Sequence, residues 1–426
     1  MKQHSLFPNL REKPKSSRAS SSTFSQNMKL PVHRWFRFSA GFSAAWAEQE
    51  IDKYGESCRV FDPFAGSGTT LIAAQAAGVE AMGVEAHPFV ARVAKAKLNC
   101  QSDPDHFISL ASTVLNESNN GSGSLSEYPD LVHRCYPDET LKQLDSLRRS
   151  IEFHQQDSPE WHLVWLALVS ILRACSPSGT AQWQYVLPNK SKKRIAQPFQ
   201  AFESAVEMMA SDMRYAREYF TGQASLLVAD ARDCEGVPDD YANLVLTSPP
   251  YANNYDYADA TRLEMCFLQE ISGWSDLKQA VRRHLIRSCS QHETPKTIDI
   301  DNVLDNVLLA PIADEIKSVC EQLATVRLTK GGKKNYHIMI ACYFLDLSKV
   351  WMSLRRCCED GSRVCFVVGD SAPYGVYVPV IDWLGRLAEA AGFKSWTFDK
   401  TRDRNIKWKN RKHRVPLCEG RLWVEG

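Results

Sequence analysis

No CxxC pair occurs among the thirteen cysteines of this chain, and no His/Cys spacing suits a metal. Zinc is therefore not expected. In a chain of 426 residues such cysteines read as reduced, mostly buried thiols of a cytoplasmic protein. Long apolar runs are also missing. The longest, Leu163 to Leu172 with one Ser inside it, is far too short to span a bilayer. The basic, Ser-rich start has no apolar core of the kind a secretory signal carries. Neither sign of charge dominates: 51 Lys and Arg stand against 50 Asp and Glu, for a net charge of +1. Any polyanion must then be met by local basic clusters. GxGxxG and GK[ST] loops are absent as well, which argues against NAD and ATP.

What is present is an ordinary globular composition, 44% hydrophobic and 24% charged, enough for one large α/β domain with insertions. Residues 1–28, rich in Ser, Lys and Arg, are expected to form a disordered tail, with a catalytic domain over 29–426. Strand signals end in acids: CRVFDPF runs up to Asp62 and AMGVEA up to Glu85. Each is followed by helix formers, TTLIAAQAAG and HPFVARVAKAKLNC, and this β-α-β-α start predicts a parallel sheet. Gln101 to Glu127 reads as a polar loop. A helical insertion is predicted over about 131–222 and a second, helical and polar, over about 259–334. Further strands are expected at SLLVAD, NLVLTSPPY, RVCFVVGD, KSWTF and RLWVE. The sheet is expected to have seven strands, mostly parallel, with the last antiparallel.

Two short segments carry chemistry. In VFDPFAGSGTT a strand feeds a Gly-x-Gly turn that opens a helix, so backbone N–H groups can face a polar ligand. Such a turn is equally a tight strand-to-helix connection when it stands alone. Glu85, at the end of the next strand, adds a carboxylate of the kind that takes ribose hydroxyls in doubly wound folds. In TSPPY, two prolines lock φ and offer carbonyl acceptors without N–H donors, and a Tyr presents a flat face. That turn can hold an exocyclic amine, or merely cap a strand.

Together these segments make the sequence resemble the amino-methyltransferases of DNA. DPFAGSGTT is similar to their cofactor motif and TSPPY to their catalytic motif. ADARD, YF-D-L, VVGDS and the aromatic segment HRWFRFSAGFS agree with them. The cofactor motif precedes the catalytic one, the reverse of the commoner order. The resemblance implies a Rossmann-like fold and S-adenosyl-L-methionine as cofactor, bound by Asp62, Phe64, Ala65, Gly66, Gly68, Glu85 and Asp230. It implies catalysis by Ser248, Pro249, Pro250 and Tyr251 on a flipped base, with Phe64 and His87 bordering the site and Tyr255 or Tyr257 near the base. No Pro-Cys motif is present, so C5 methylation is not implied. Ser at the first position of the turn points to N4 of cytosine rather than N6 of adenine.

Double-stranded DNA is the implied partner, with room for a cognate restriction endonuclease acting separately. The segment Thr401 to Arg414 carries seven Lys and Arg against one acid, and NKSKKR and TKGGKK are smaller clusters that could meet phosphates. At this point N6-adenine methylation, an RNA or protein amino-methyltransferase, and a non-catalytic nucleic-acid-binding protein all remain open.

Overall fold

A computed structural model describes residues 24–426 apart from 56, 122, 155, 182–184, 292–297, 332–333 and 405–414. Strand β1 (Arg59–Asp62) leads through the glycine turn into helix α2 (Thr69–Ala77), preceded in the chain by α1 (Ala44–Ile51). Strand β2 (Glu80–Val84) leads into α3 (Pro88–Leu98). Strands β5 (Gln223–Leu227), β6 (Ala242–Thr247), β7 (Cys358–Gly369), β8 (Ser395–Arg404) and β9 (Leu417–Glu425) complete a seven-stranded sheet of order β5-β2-β1-β6-β7-β9-β8. All neighbours are parallel except around β9, which runs antiparallel to both β7 and β8. This is the Rossmann-like methyltransferase fold expected from the sequence.

The sheet is apolar on both faces because β1 splits its side chains between two cores. Val60 packs with α1 and α2, and Phe61 with the helices of the opposite face. From β1 the chain winds one way to β2 and β5, then returns to β6 on the other side. The switch point thus lies between β1 and β6. In open sheets of this kind the crevice outside the carboxyl ends of the strands, at the switch point, receives ligands.

The first helical layer lies between β2 and β5 and contains α4 (Pro104–Asn120), α5 (Asp130–Cys135), α6 (Asp138–Phe153), α7 (Pro159–Cys175), the hairpin β3 (Ser178–Thr180) and β4 (Val186–Ser191), and α8 (Pro198–Tyr219). Helix α4 corrects the expectation of a loop over Gln101–Glu127. Asp103 caps it through the N–H groups of Asp105 and His106, Pro104 occupies its first turn, and Phe107, Ala111 and Val114 bury one narrow stripe. Its other faces are so polar that composition hid the period. The tail boundary also moves. Phe24–Lys29 form a 3-10 turn, and Asn27 is buried, donating to the Phe42 carbonyl at 2.8 Å and accepting from Ala44 N at 3.0 Å. Residues 1–23 lie outside the described residues.

Between β6 and β7 come four short helices, α9 (Tyr257–Ala260), α10 (Arg262–Phe267), α11 (Leu277–Ala280) and α12 (Ile300–Leu304), then α13 (Ala313–Thr329) and α14 (Tyr336–Cys357). Helix α15 (Val380–Ala390) connects β7 to β8. Among the described residues no helix is long and apolar enough to cross a membrane, and no cluster of His, Cys, Asp and Glu could hold a metal ion.

Candidate functional site

Each acid or hydroxyl of the predicted site stands at or just past the carboxyl end of a strand, because the short apolar runs stop there. Around the switch point these ends enclose a crevice of about 820 Å³. Phe64, Ala65, Gly66, Glu85, His87, Asp230, Ser248, Pro250 and Tyr257 line it, so the glycine turn and the Ser-Pro-Pro-Tyr turn share one cavity. Asp62, Gly68, Pro249 and Tyr251 were also expected at the site but do not line this crevice. Asp62 supports it from behind.

Asp62 is 1% exposed, and its carboxylate accepts from Phe64 N at 3.0 Å, Thr247 Oγ1 at 2.5 Å and Thr70 Oγ1 at 2.6 Å. Burial pushes it up to about 6 against these three bonds. Asp62 therefore joins the end of β1, the end of β6 and the start of α2, and its oxygens are committed to that joint. Gly66 and Gly68 both sit at positive φ, +53° and +87°, which only glycine adopts without strain. A Cβ on Gly66 would also meet the Phe38 ring at 3.0 Å. Phe38, from the aromatic segment before β1, closes the crevice over the turn.

Glu85 spans the turn to α3. Its Oε2 accepts from Gly66 N and its Oε1 from His87 N, both at 2.8 Å. Burial lifts its carboxyl to about 7, opposed by those backbone bonds. His87 is 2% exposed and its Nε2 lies 2.8 Å from Thr261 Oγ1. Its Nδ1 is buried without a partner among the described residues. Burial pulls the imidazole down to about 3, which keeps it neutral. Asp230 reaches the crevice beyond β5, but Arg232 holds both its oxygens, with Nε 2.9 Å from each. Arg232 in turn reaches Asp346, which is paired with Arg287 at 2.6 Å. These contacts hold Arg283 and Arg287 on either side of His284, Leu285 and Ile286, which line the crevice.

On the opposite wall, Ser248 Oγ donates to the Val367 carbonyl of β7 at 3.1 Å. Tyr343 of α14 donates to the Pro250 carbonyl at 2.9 Å. Tyr251 is backed by the Arg404 guanidinium, 5.3 Å from its ring centroid. Arg404 also donates to the Asp370 carbonyl at 2.9 Å and lies near Glu419, which pairs with Arg402 at 2.8 Å. This revises the reading of Thr401–Arg414 as a free basic loop. Thr401–Arg404 belong to β8, and Arg402 and Arg404 already have an anionic partner. Lys407 and Lys409 lie outside the described residues. Of the two tyrosines placed near the base, Tyr257 lines the crevice, while Tyr255 is buried between Tyr185 and Tyr257.

Sequence reasoning passed over Thr70, Thr247, Arg232, Tyr343 and Arg404 as parts of the site. Arg232 stands inside the ADARD segment, so a second reading of that segment could have found it. Thr70, Thr247 and Tyr343 likewise stand inside DPFAGSGTT, TSPPY and YF-D-L, and Arg404 alone meets the site through tertiary contact only. Fold and site together bring a glycine-rich turn and a Pro-Pro turn to one crevice, as the resemblance to the amino-methyltransferases of DNA implies. Comparison with known proteins agrees. A family model described as DNA methylase matches residues 15–96. A type II methyltransferase, M.AvaI, of Nostoc sp. is 25% identical over 400 residues, 87% of this chain and 81% of its own length. The type II methyltransferase M.BsoBI of Geobacillus stearothermophilus is 23% identical over 431 residues, 87% of this chain and 80% of its own length. No solved structure gives a match. The chain is thus similar to DNA methyltransferases, in keeping with the resemblance its two motifs carry.

Proposed function

We propose that this protein is an S-adenosyl-L-methionine-dependent methyltransferase that modifies N4 of cytosine in a specific site of double-stranded DNA. The observation that carries the reading is the shared crevice: Gly66 and Glu85 from the β1 and β2 ends face the same cavity as Ser248 and Pro250 from the β6 end. The residues present suit the cofactor. The glycine turn faces the crevice, Glu85 offers a carboxylate for ribose hydroxyls, and His87 Nδ1 is a buried polar atom without a partner among the described residues. When bound, the cofactor supplies an electrophilic methyl group on a sulfonium.

The chain's own residues prepare the amine. An aryl amine is a poor nucleophile because its lone pair is delocalised into the ring. Ser248 gives its proton to the Val367 carbonyl, which fixes the hydroxyl and leaves its lone pairs to accept from the amine. The Pro249 carbonyl supplies a second acceptor. Accepting both N–H bonds localises the lone pair and orients it, so the protein works mainly by position in a water-poor cavity. Tyr251, braced from behind by Arg404, offers a ring for stacking a base taken out of the duplex. A neutral hydroxyl suffices at position 248, since the amine proton becomes acidic only as the N–C bond forms.

Expression in a host without modified bases, followed by digestion of its DNA to nucleosides and mass spectrometry, tests this reading. N4-methylcytosine is expected. N6-methyladenine alone would overturn the base assignment and keep the reaction class, whereas methylated tRNA with unmodified DNA would overturn the substrate.

A further inference from the structure

Behind the glycine turn lies a second, smaller cavity. Phe38, Ser67 and Thr69 line both it and the main crevice, so one opens beside the other. The far wall includes Asn27, His33 and Lys97. Lys97, near the end of α3, is only 1% exposed, and its ammonium donates to the His33 carbonyl at 3.2 Å. No carboxylate pairs with it among the described residues. A lysine so deeply buried is costly without an anion beside it.

Everything around the ammonium suits an anionic group. Helix α2 starts at this cavity with Gly68 as its N-cap and no side-chain cap, so the N–H groups of its first turn are available. The hydroxyls of Ser67 and Thr69 stand at the same place. His33 brings no second charge, because burial holds its imidazole down to about 3. The main crevice offers the opposite character. Among the described residues its lining includes the acids Glu85 and Asp230 but no Lys or Arg, so a zwitterionic ligand placed there meets no cation among them for its carboxylate.

We propose that Lys97 is the counter-ion for the carboxylate of the cofactor's amino-acid end, held between α3 and the first turn of α2. This rests on the reading of the crevice as the S-adenosyl-L-methionine site, and extends that site into a pocket that neither motif contains. The same burial that leaves Lys97 without an anion depresses its ammonium to about 7, a cost that a bound carboxylate relieves.

Calorimetric titration of the full chain with two ligands decides it: S-adenosyl-L-homocysteine, which carries the carboxylate, and 5′-methylthioadenosine, which lacks the whole amino-acid end. Lys97→Met should bind S-adenosyl-L-homocysteine on the order of 10-fold or more weakly than the parent, while keeping the parent's affinity for 5′-methylthioadenosine within about 2-fold. Equal losses for both ligands, or no loss for either, would overturn the proposal. Should Lys97→Met fail to fold, the parent alone still answers, because it should bind decarboxylated S-adenosylmethionine on the order of 10-fold more weakly than S-adenosylmethionine. Equal affinities there would refute the subsite. A parent that binds none of these ligands would instead remove the cofactor reading, and the Lys97 assignment with it.

Discussion

On the proposed reading, the cofactor end of the crevice is made by the main chain, and the base end by side chains gathered from distant strands. At the first, the turn from β1 to α2 takes its shape from two glycines at positive φ, and Glu85 is held by the N–H groups of Gly66 in that turn and of His87 after β2. At the second, Ser248 leans on β7, Pro250 on Tyr343 of α14, and Tyr251 on Arg404 at the end of β8. A ligand turn built from backbone is local and can be specified by a few consecutive residues. A base pocket assembled from β6, β7, β8 and α14 can vary each support separately.

If the two ends are separable, Ser248→Ala should cut turnover on the order of 100-fold, as the loss of a single oriented hydrogen-bonding group in a transition state does, and leave cofactor affinity nearly unchanged. Single-turnover methyl transfer set beside cofactor titration measures both. A matching loss in cofactor binding would break the comparison.

Glu85 gives the next largest effect. Burial lifts its carboxyl to about 7, above the ordinary value of about 4.3 expected in the unfolded chain. The folded protein therefore resists ionisation of Glu85. The resulting cost is absent at low pH, grows as pH rises from about 4 to 7, and is constant above that. Glu85→Gln removes it. Relative to the parent, the variant should gain ~1–3 kcal/mol between pH 4 and pH 8 in urea unfolding, while its cofactor affinity falls. A stability difference that does not change with pH would mean that Glu85 is better solvated than its surroundings indicate.

Gly66→Ala should cost about 1–2 kcal/mol from the left-handed backbone alone, with Phe38 displaced as well. Cofactor titration should show a roughly 10-fold loss and base-dependent steps should be spared once cofactor is saturating. The smallest effect is expected at Arg402. Because Glu419 already pairs with it, Arg402→Gln should flatten the salt dependence of DNA binding by less than the roughly one unit a free phosphate contact contributes. A full unit would show that Arg402 leaves Glu419 for the phosphate.

The same division explains what the sequence made legible. β1, its glycine turn, β2 and α2 are short, contiguous and apolar, so residues alone located Gly66, Glu85 and the order of the first elements. Ser248 and Pro250 were found through a motif, and they do line the crevice. Asp62 was expected in the crevice and turned out to be a joint between strands, because Thr70 and Thr247, which claim its oxygens, lie far from each other in the chain. Arg404 looked like part of a DNA-facing loop, since nothing near it in sequence announces Tyr251 or Glu419. Helix α4 was missed because Phe107, Ala111 and Val114 are a thin apolar stripe among polar neighbours.

Strand β9 has a consequence for the order in which the protein can be made. β8 touches the sheet only through β9, and β9 is synthesised after it. While the chain emerges, β7 presents an unpaired flank at Val364–Val368, all of it apolar or thiol-bearing, and β8 has no neighbour to join. Open strand edges of this kind pair readily with other chains. The nascent polypeptide is therefore most exposed to aggregation in the interval between α15 and β9, and completion of a single antiparallel strand closes both edges at once.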